Sequence, residues 1–154
     1  MELDTGMTKD GRASVSGALS KLLADTYLLY LKTQNTHWNI HGPEFYSLHV
    51  MTEKQYEEMA DAVDEIAERI RALGFFVEGT TSAFQKLSSI QEDEKIHPKH
   101  ILIEQLIKGH EQVIRDCRSL GELAEKHHDC ATVDLMGRRL NAHEKFSWML
   151  RSQL

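Results

Sequence analysis

Pro43 and Pro98 are the only prolines in 154 residues. Between the breaks that they and a few glycines impose, apolar residues recur every three or four positions. That period belongs to helices with one buried face, and no segment alternates with the period of two that a half-buried strand requires. Such a chain must bury helix against helix. From Ser14 to about Ile40, the series Val15, Leu19, Leu22, Leu23, Tyr27, Tyr30 and Leu31 predicts a first long helix. Gly42 suits the end of that helix and Pro43 the first turn of the next. A second helix is expected from about Glu44 to Leu73, with Leu48, Met51, Tyr56, Met59, Val63, Ile66 and Ile70 on its apolar side and Gly74 closing it. The stretch from Phe75 to His97 is too long for a plain bundle loop; within it, Ser82 to Ser88 is expected to form a short helix. Pro98 opens a third long helix reaching about His127. Asp129 to Thr132 supply capping residues, and a fourth helix runs to Ser152. The expected fold is an all-α four-helix bundle with a short extra helix in its long middle connection. Residues 1–13 lack periodicity and read as a flexible N-terminal tail ahead of a single domain, residues 14–154.

Composition narrows the partners. The formal net charge of −6 gives no bulk attraction for nucleic acid or anionic membrane. There is no basic segment followed by an apolar run at the N-terminus. The longest apolar stretch, Tyr27 to Leu31, is far too short to span a bilayer. Cys117 and Cys130 show neither C-x-x-C spacing nor a disulfide framework, so two reduced thiols in a cytosolic protein are expected.

The chemistry lies in the first half. On a helical wheel at about 100° per residue, Glu53, Asp64 and Glu68 fall at about 40°, 60° and 100° from His49, in one stripe of the second helix. Asp64 is nevertheless about 16 Å along the axis from Glu53, too far for one metal ion to bridge. The spacing has a symmetry: His49 with Glu68, and Glu53 with Asp64, share one midpoint between Glu58 and Met59. Crossing two copies of the helix antiparallel at that point would set His49 and Glu53 of one chain against Glu68 and Asp64 of the other, an isologous contact that builds two identical sites. His37 joins through the hairpin, because His37 and His49 each lie six residues from Pro43. Imidazole and carboxylate donors suit Fe(II), Zn(II) or Mn(II). The plainer alternative is a solvated charged face with Arg69 and Arg71 as counter-ions.

The run Thr36-His37-Trp38-Asn39-Ile40-His41-Gly42-Pro43-Glu44-Phe45, the pair Leu48-His49, and the run from Asp64 to Gly74 resemble the Dps-type miniferritins, the DNA-protection-during-starvation proteins of the ferritin-like superfamily. Asp134-Leu135 and the run from His143 to Leu150 resemble that family's last helix. The resemblance spans nearly the whole chain after the tail. It implies a ferritin-like four-helix bundle assembled as a hollow dodecamer. It also implies a ferroxidase that oxidises Fe(II), preferably with hydrogen peroxide, and stores the ferric mineral inside, protecting a cytoplasmic or nucleoid-associated environment from oxidative damage. Matched by position, His37 and His49 are iron ligands from one subunit and Asp64 and Glu68 from the other, with Glu68 bridging toward the second iron. The resemblance also implies that Trp38 lies beside the site, as in the family, and quenches a reactive oxidant. The family usually has Asp where this chain has Glu53, a longer ligand that moves the second iron or alters its affinity. Asp129 and Asp134 resemble acidic residues that line the family's three-fold iron-uptake pores, although helix capping also accounts for Asp129. Members that bind DNA often use a Lys-rich tail. Here Lys9 and Arg12 face Glu2, Asp4 and Asp10, so weak or absent DNA binding is expected. The alternative within the same family is a DNA-compacting structural protein with secondary iron chemistry.

Overall fold

A computed structural model describes residues 3–154. Among the described residues five helices follow one another: α1 (Lys9–Asn39), α2 (Phe45–Ala72), α3 (Thr81–Leu87), α4 (Lys99–Lys126) and α5 (Cys130–Arg151). Among the described residues there is no strand. α1 packs on α2, α4 on α5, and α1 also lies along α4. The four long helices close on a core that includes Leu19, Leu22 and Leu29 of α1, Met59, Ile66 and Ile70 of α2, Ile103 and Leu106 of α4, and Met136 and Leu150 of α5.

The breaks work as their chemistry demands. α1 gives way to extended backbone at Ile40, and Gly42 turns the chain at φ +112°. α2 ends on Gly74 at φ +93°, where the Gly74 N–H donates to the Arg71 carbonyl and the Phe75 N–H to that of Ile70. That pattern satisfies two of the carbonyls a helix leaves bare at its end. The same motif ends α4, but His128 holds the left-handed position at φ +58°. Asp129 then caps α5, accepting from the Thr132 N–H at 3.0 Å.

α1 starts at Lys9, earlier than the periodicity indicates, so residues 9–13 are helix rather than tail. Thr8 caps this end through its hydroxyl oxygen, which accepts from the Gly11 N–H. The Arg12 guanidinium is buried and donates to the Leu73 carbonyl. A cation with a partner sixty-one residues away looks, in the sequence, like one more exposed charge. Ahead of the helix, Leu3 sits so close to Gly74 that a Cβ there would lie 2.4 Å from its Cδ1.

The crossover is fastened by a buried carboxylate. Asp25 of α1 is fully buried. It accepts from the Ser88 hydroxyl at 2.6 Å, from the Ser89 and Ile90 N–H groups at 2.6 and 3.3 Å, and from Lys21 at 2.7 Å. Lys21 reaches on to Asp116 of α4 at 2.9 Å. Burial alone would push the Asp25 carboxyl up, but its interaction with Asp116, whose own carboxyl is raised, and the bonds from Lys21 and Ser88 hold it below the ordinary carboxylate range. Cutting this hub leaves the Ser88 hydroxyl and the Ser89 amide without their acceptor, and Lys21 with Asp116 alone. Asp25→Ala should therefore cost about 3 kcal/mol of stability and speed amide exchange at Ser89 and Ile90 before the rest of the bundle. Exchange at those amides unchanged from the parent would refute the assignment.

Candidate metal centre

The hairpin brings His37, at the end of α1, and His49, in the first turns of α2, into face-to-face contact. Their ring centroids are 3.6 Å apart and the planes 16° from parallel. Each ring is tied to the other's backbone: His37 Nδ1 donates to the His49 carbonyl at 2.8 Å, and His49 Nδ1 donates to the His37 carbonyl at 3.0 Å. Carbonyl oxygens only accept, so both neutral rings carry their proton on Nδ1. Each Nε2 is left with a free lone pair, and among the described residues neither has a hydrogen-bond partner. A fixed tautomer and orientation set by a backbone carbonyl is the arrangement that prepares an imidazole for a metal ion. Around the pair, Tyr56 presents an edge to His37 at 5.2 Å and Phe45 stacks on His49 at 4.9 Å. The Thr52 hydroxyl lies against His37 Nδ1 at 3.4 Å while donating to the Leu48 carbonyl.

Glu53 follows one turn after His49 and is half-buried. Asp64 and Glu68 are exposed, farther along α2. Among the described residues of one chain, no group of three or more His, Cys, Asp and Glu side chains is gathered around a common point. A single copy therefore supplies the imidazole pair but not a complete ligand set. Trp38 is next to His37 in sequence and 62% exposed, its indole turned away from the core.

The acidic residues near the start of α5 divide. Asp129 is buried and spent within its own chain, on Arg69 at 2.6 Å and on the hydroxyl and amide of Thr132. Burial raises its carboxyl, and the bonds from Arg69 and Thr132 more than offset this, so it stays below the usual range. Within one chain its carboxylate caps α5 and pairs with Arg69. Asp134 is exposed and paired with Arg138, which also holds Glu65.

A second histidine pair carries no sequence signature. His110 of α4 and His143 of α5 are fully buried, with Nδ1 to Nδ1 at 2.9 Å. Arg139, itself paired with Glu58, donates to His143 Nε2 at 3.0 Å. His143 must then carry its proton on Nδ1 and give that hydrogen bond to His110. Burial, reinforced by Arg139, lowers the His110 pKa to about 3. Burial, then His110 and Arg139, takes His143 well below its ordinary value. Thirty-three residues separate the two rings along the chain, and no spacing rule joins them.

Residues 16–154 match the Ferritin-like domain family. The chain is 36% identical over 152 residues to an uncharacterised low temperature-induced protein of Nostoc, covering 97% of this chain and 85% of that one. It is 36% identical over 136 residues to DNA protection during starvation protein 2 of Bacillus anthracis, covering 88% and 93%. Its fold superposes on the Dps protein of Vibrio cholerae, described as one of the ferritin-like diiron-carboxylate proteins, with a TM-score of 0.92 at 29% identity over 99% of this chain and 97% of that one. With the bundle, the crossover and the hairpin histidines in place, the chain belongs to the ferritin-like family as a Dps-type miniferritin.

Proposed function

We propose that this chain is a ferroxidase and iron-storage protein whose active centre forms between two copies. The observation that carries this is the reciprocal bonding of His37 and His49, which fixes both tautomers and leaves both Nε2 atoms free. Two α2 helices crossing antiparallel about the Glu58–Met59 midpoint set Asp64 and Glu68 of the partner opposite His49, Glu53 and His37. Fe(II) is the substrate. The neutral imidazoles bind it as borderline donors, and the carboxylates keep their hold as the ion hardens to Fe(III). Glu53 and Glu68 reach the second iron. Each Fe(II) gives up one electron, and a pair of them reduces the O–O bond of one hydrogen peroxide. The oxygens leave as hydroxide or pass into ferric oxyhydroxide, which is held inside a hollow dodecamer as in the Dps proteins. Consuming peroxide together with Fe(II) denies both to hydroxyl-radical chemistry. A cytoplasmic location belongs to the same proposal.

Adding Fe(II) to the protein without oxygen and then hydrogen peroxide should give a rapid rise in ferric absorbance and a soluble mineral. Oxidation no faster than in protein-free buffer would contradict the reading.

A DNA-compacting role is disfavoured by the same fold. Of the two cations at the start of the chain, Lys9 lies in α1 and Arg12 is spent on the Leu73 carbonyl. Without clustered cations there is little phosphate contact. Gel shifts at physiological salt should show no retardation; tight, salt-sensitive complexes would restore the DNA reading.

A further inference from the structure

The stripe that carries the acidic and histidine ligands does not stop at His49 and Glu68. Counting about 100° per residue from His49, Tyr46 falls at about 60° and Arg71 at about 40°, between the two edges of that stripe. Their positions also share its midpoint: Tyr46 lies as far before it as Arg71 lies after it. The residues between, Ala60 at about 20° and Ala67 at about 0°, are small enough to let two such helices approach. Both end residues stand in the open in a single chain, Tyr46 at 78% exposure. Arg71 is already arranged for a partner. Its guanidinium carbon lies 4.3 Å over the ring of Phe76, and its Nη1 donates to the Phe75 carbonyl at 2.9 Å. One face of the guanidinium is thus covered and the other is open, while Phe76 itself is 86% exposed. Tyr46 near the start of α2 and Phe76 just beyond its end are large aromatic groups left in the open, each available to a covering partner.

We propose that Tyr46 of each chain stacks on the open face of the partner's Arg71, making a ring–guanidinium–ring sandwich with the partner's Phe76 that closes the outer end of each iron site. This rests on the antiparallel pairing proposed above. A planar guanidinium accepts an aromatic ring on each face. The sandwich also answers an electrostatic problem of the pairing. Glu53, Glu57, Asp64 and Glu68 of one copy face the same residues of the other, and without iron these carboxylates repel. Arg71 sets one cation at each end of the interface, held by a stacking contact that needs no metal. One turn from His49 and one turn from Glu68, the three planar groups also cover the site from solvent on that side.

Disulfide trapping in metal-free protein tests this, on a Cys130→Ser background because Cys130 is exposed. Tyr46→Cys with Arg71→Cys reports the sandwich, and Glu53→Cys with Asp64→Cys reports the pairing itself. Both pairs are too far apart along α2 to join within one chain, about 37 and 16 Å. Both should give interchain dimers with oxidant and chelator present. Tyr46→Ala should raise the concentration at which half the chains are paired by about tenfold or more, and Tyr46→Phe by less than about threefold. If only the Glu53/Asp64 pair cross-links, or if Tyr46→Ala leaves pairing unchanged, the sandwich is wrong and the pairing stands. If neither pair cross-links, the antiparallel pairing is wrong and the sandwich fails with it.

Discussion

Replacing His37 and His49 together by alanine should lower the rate of peroxide-driven Fe(II) oxidation by about a hundredfold or more, leaving the helical content of the protein intact. The expected size follows from how the pair is built. Changing a residue that merely orients a metal ligand costs about ten- to a hundredfold in affinity or activity, and this double change removes the ligands together with the bonds that orient them. It strands no buried charge, because each ring is tied to a backbone carbonyl rather than to a charged partner. His37 is mostly buried, so its loss opens a small void at the α1–α2 turn and trims stability. Circular dichroism of the variant separates that cost from the loss of rate. A variant that oxidises Fe(II) with peroxide as fast as the parent would remove these two rings from the chemistry.

Mild acid should destabilise the fold through His110 and His143. An unfolded histidine takes up a proton near pH 6.5, whereas both buried rings have pKa values lowered in the folded chain, His110 to about 3. Between those limits the unfolded state binds more protons than the folded one, so stability is complete above pH 6.5 and drains away as the pH falls below it. Two rings kept neutral would remove about 3 kcal/mol per chain between pH 7.5 and 5.5. The local bonding leaves no escape. A second proton on His143 would face the Arg139 guanidinium, and one on His110 would face the His143 N–H. Denaturant midpoints measured from pH 7.5 to 5.5 check this. A midpoint flat across that range would mean that the rings charge in the folded protein.

The parts of this structure that could be read from the sequence are those decided by near neighbours. Gly42-Pro43, Gly74, Pro98 and Asp129 mark breaks because φ preference and capping are local properties; α1, α2 and α4 end, and α2, α4 and α5 start, within a few residues of them. The meeting of His37 and His49 is legible for the same reason: an antiparallel hairpin pairs residues equidistant from its turn. Arg12, Asp25 and the His110–His143 pair were not legible. Each is a polar group in or beside the core whose partner lies between thirty-three and sixty-five residues away, and in a sequence such groups look like ordinary surface charge or a solitary histidine. Asp129 shows the opposite limit. Its capping chemistry was visible in the sequence, but its ion-pair partner, Arg69, lies sixty residues earlier and was not.

The central claim, that each site takes its histidines from one chain and two of its carboxylates from another, is tested most directly by mixing two disabled chains. His37→Ala/His49→Ala and Asp64→Ala/Glu68→Ala should each be inactive alone. Co-assembled in equal amounts, about half of the two-fold pairs are mixed, and each mixed pair holds one intact site and one lacking both halves. About a quarter of the parent's peroxide-driven Fe(II) oxidation should return. If the mixture is as inactive as its components, the site does not form between chains in this way.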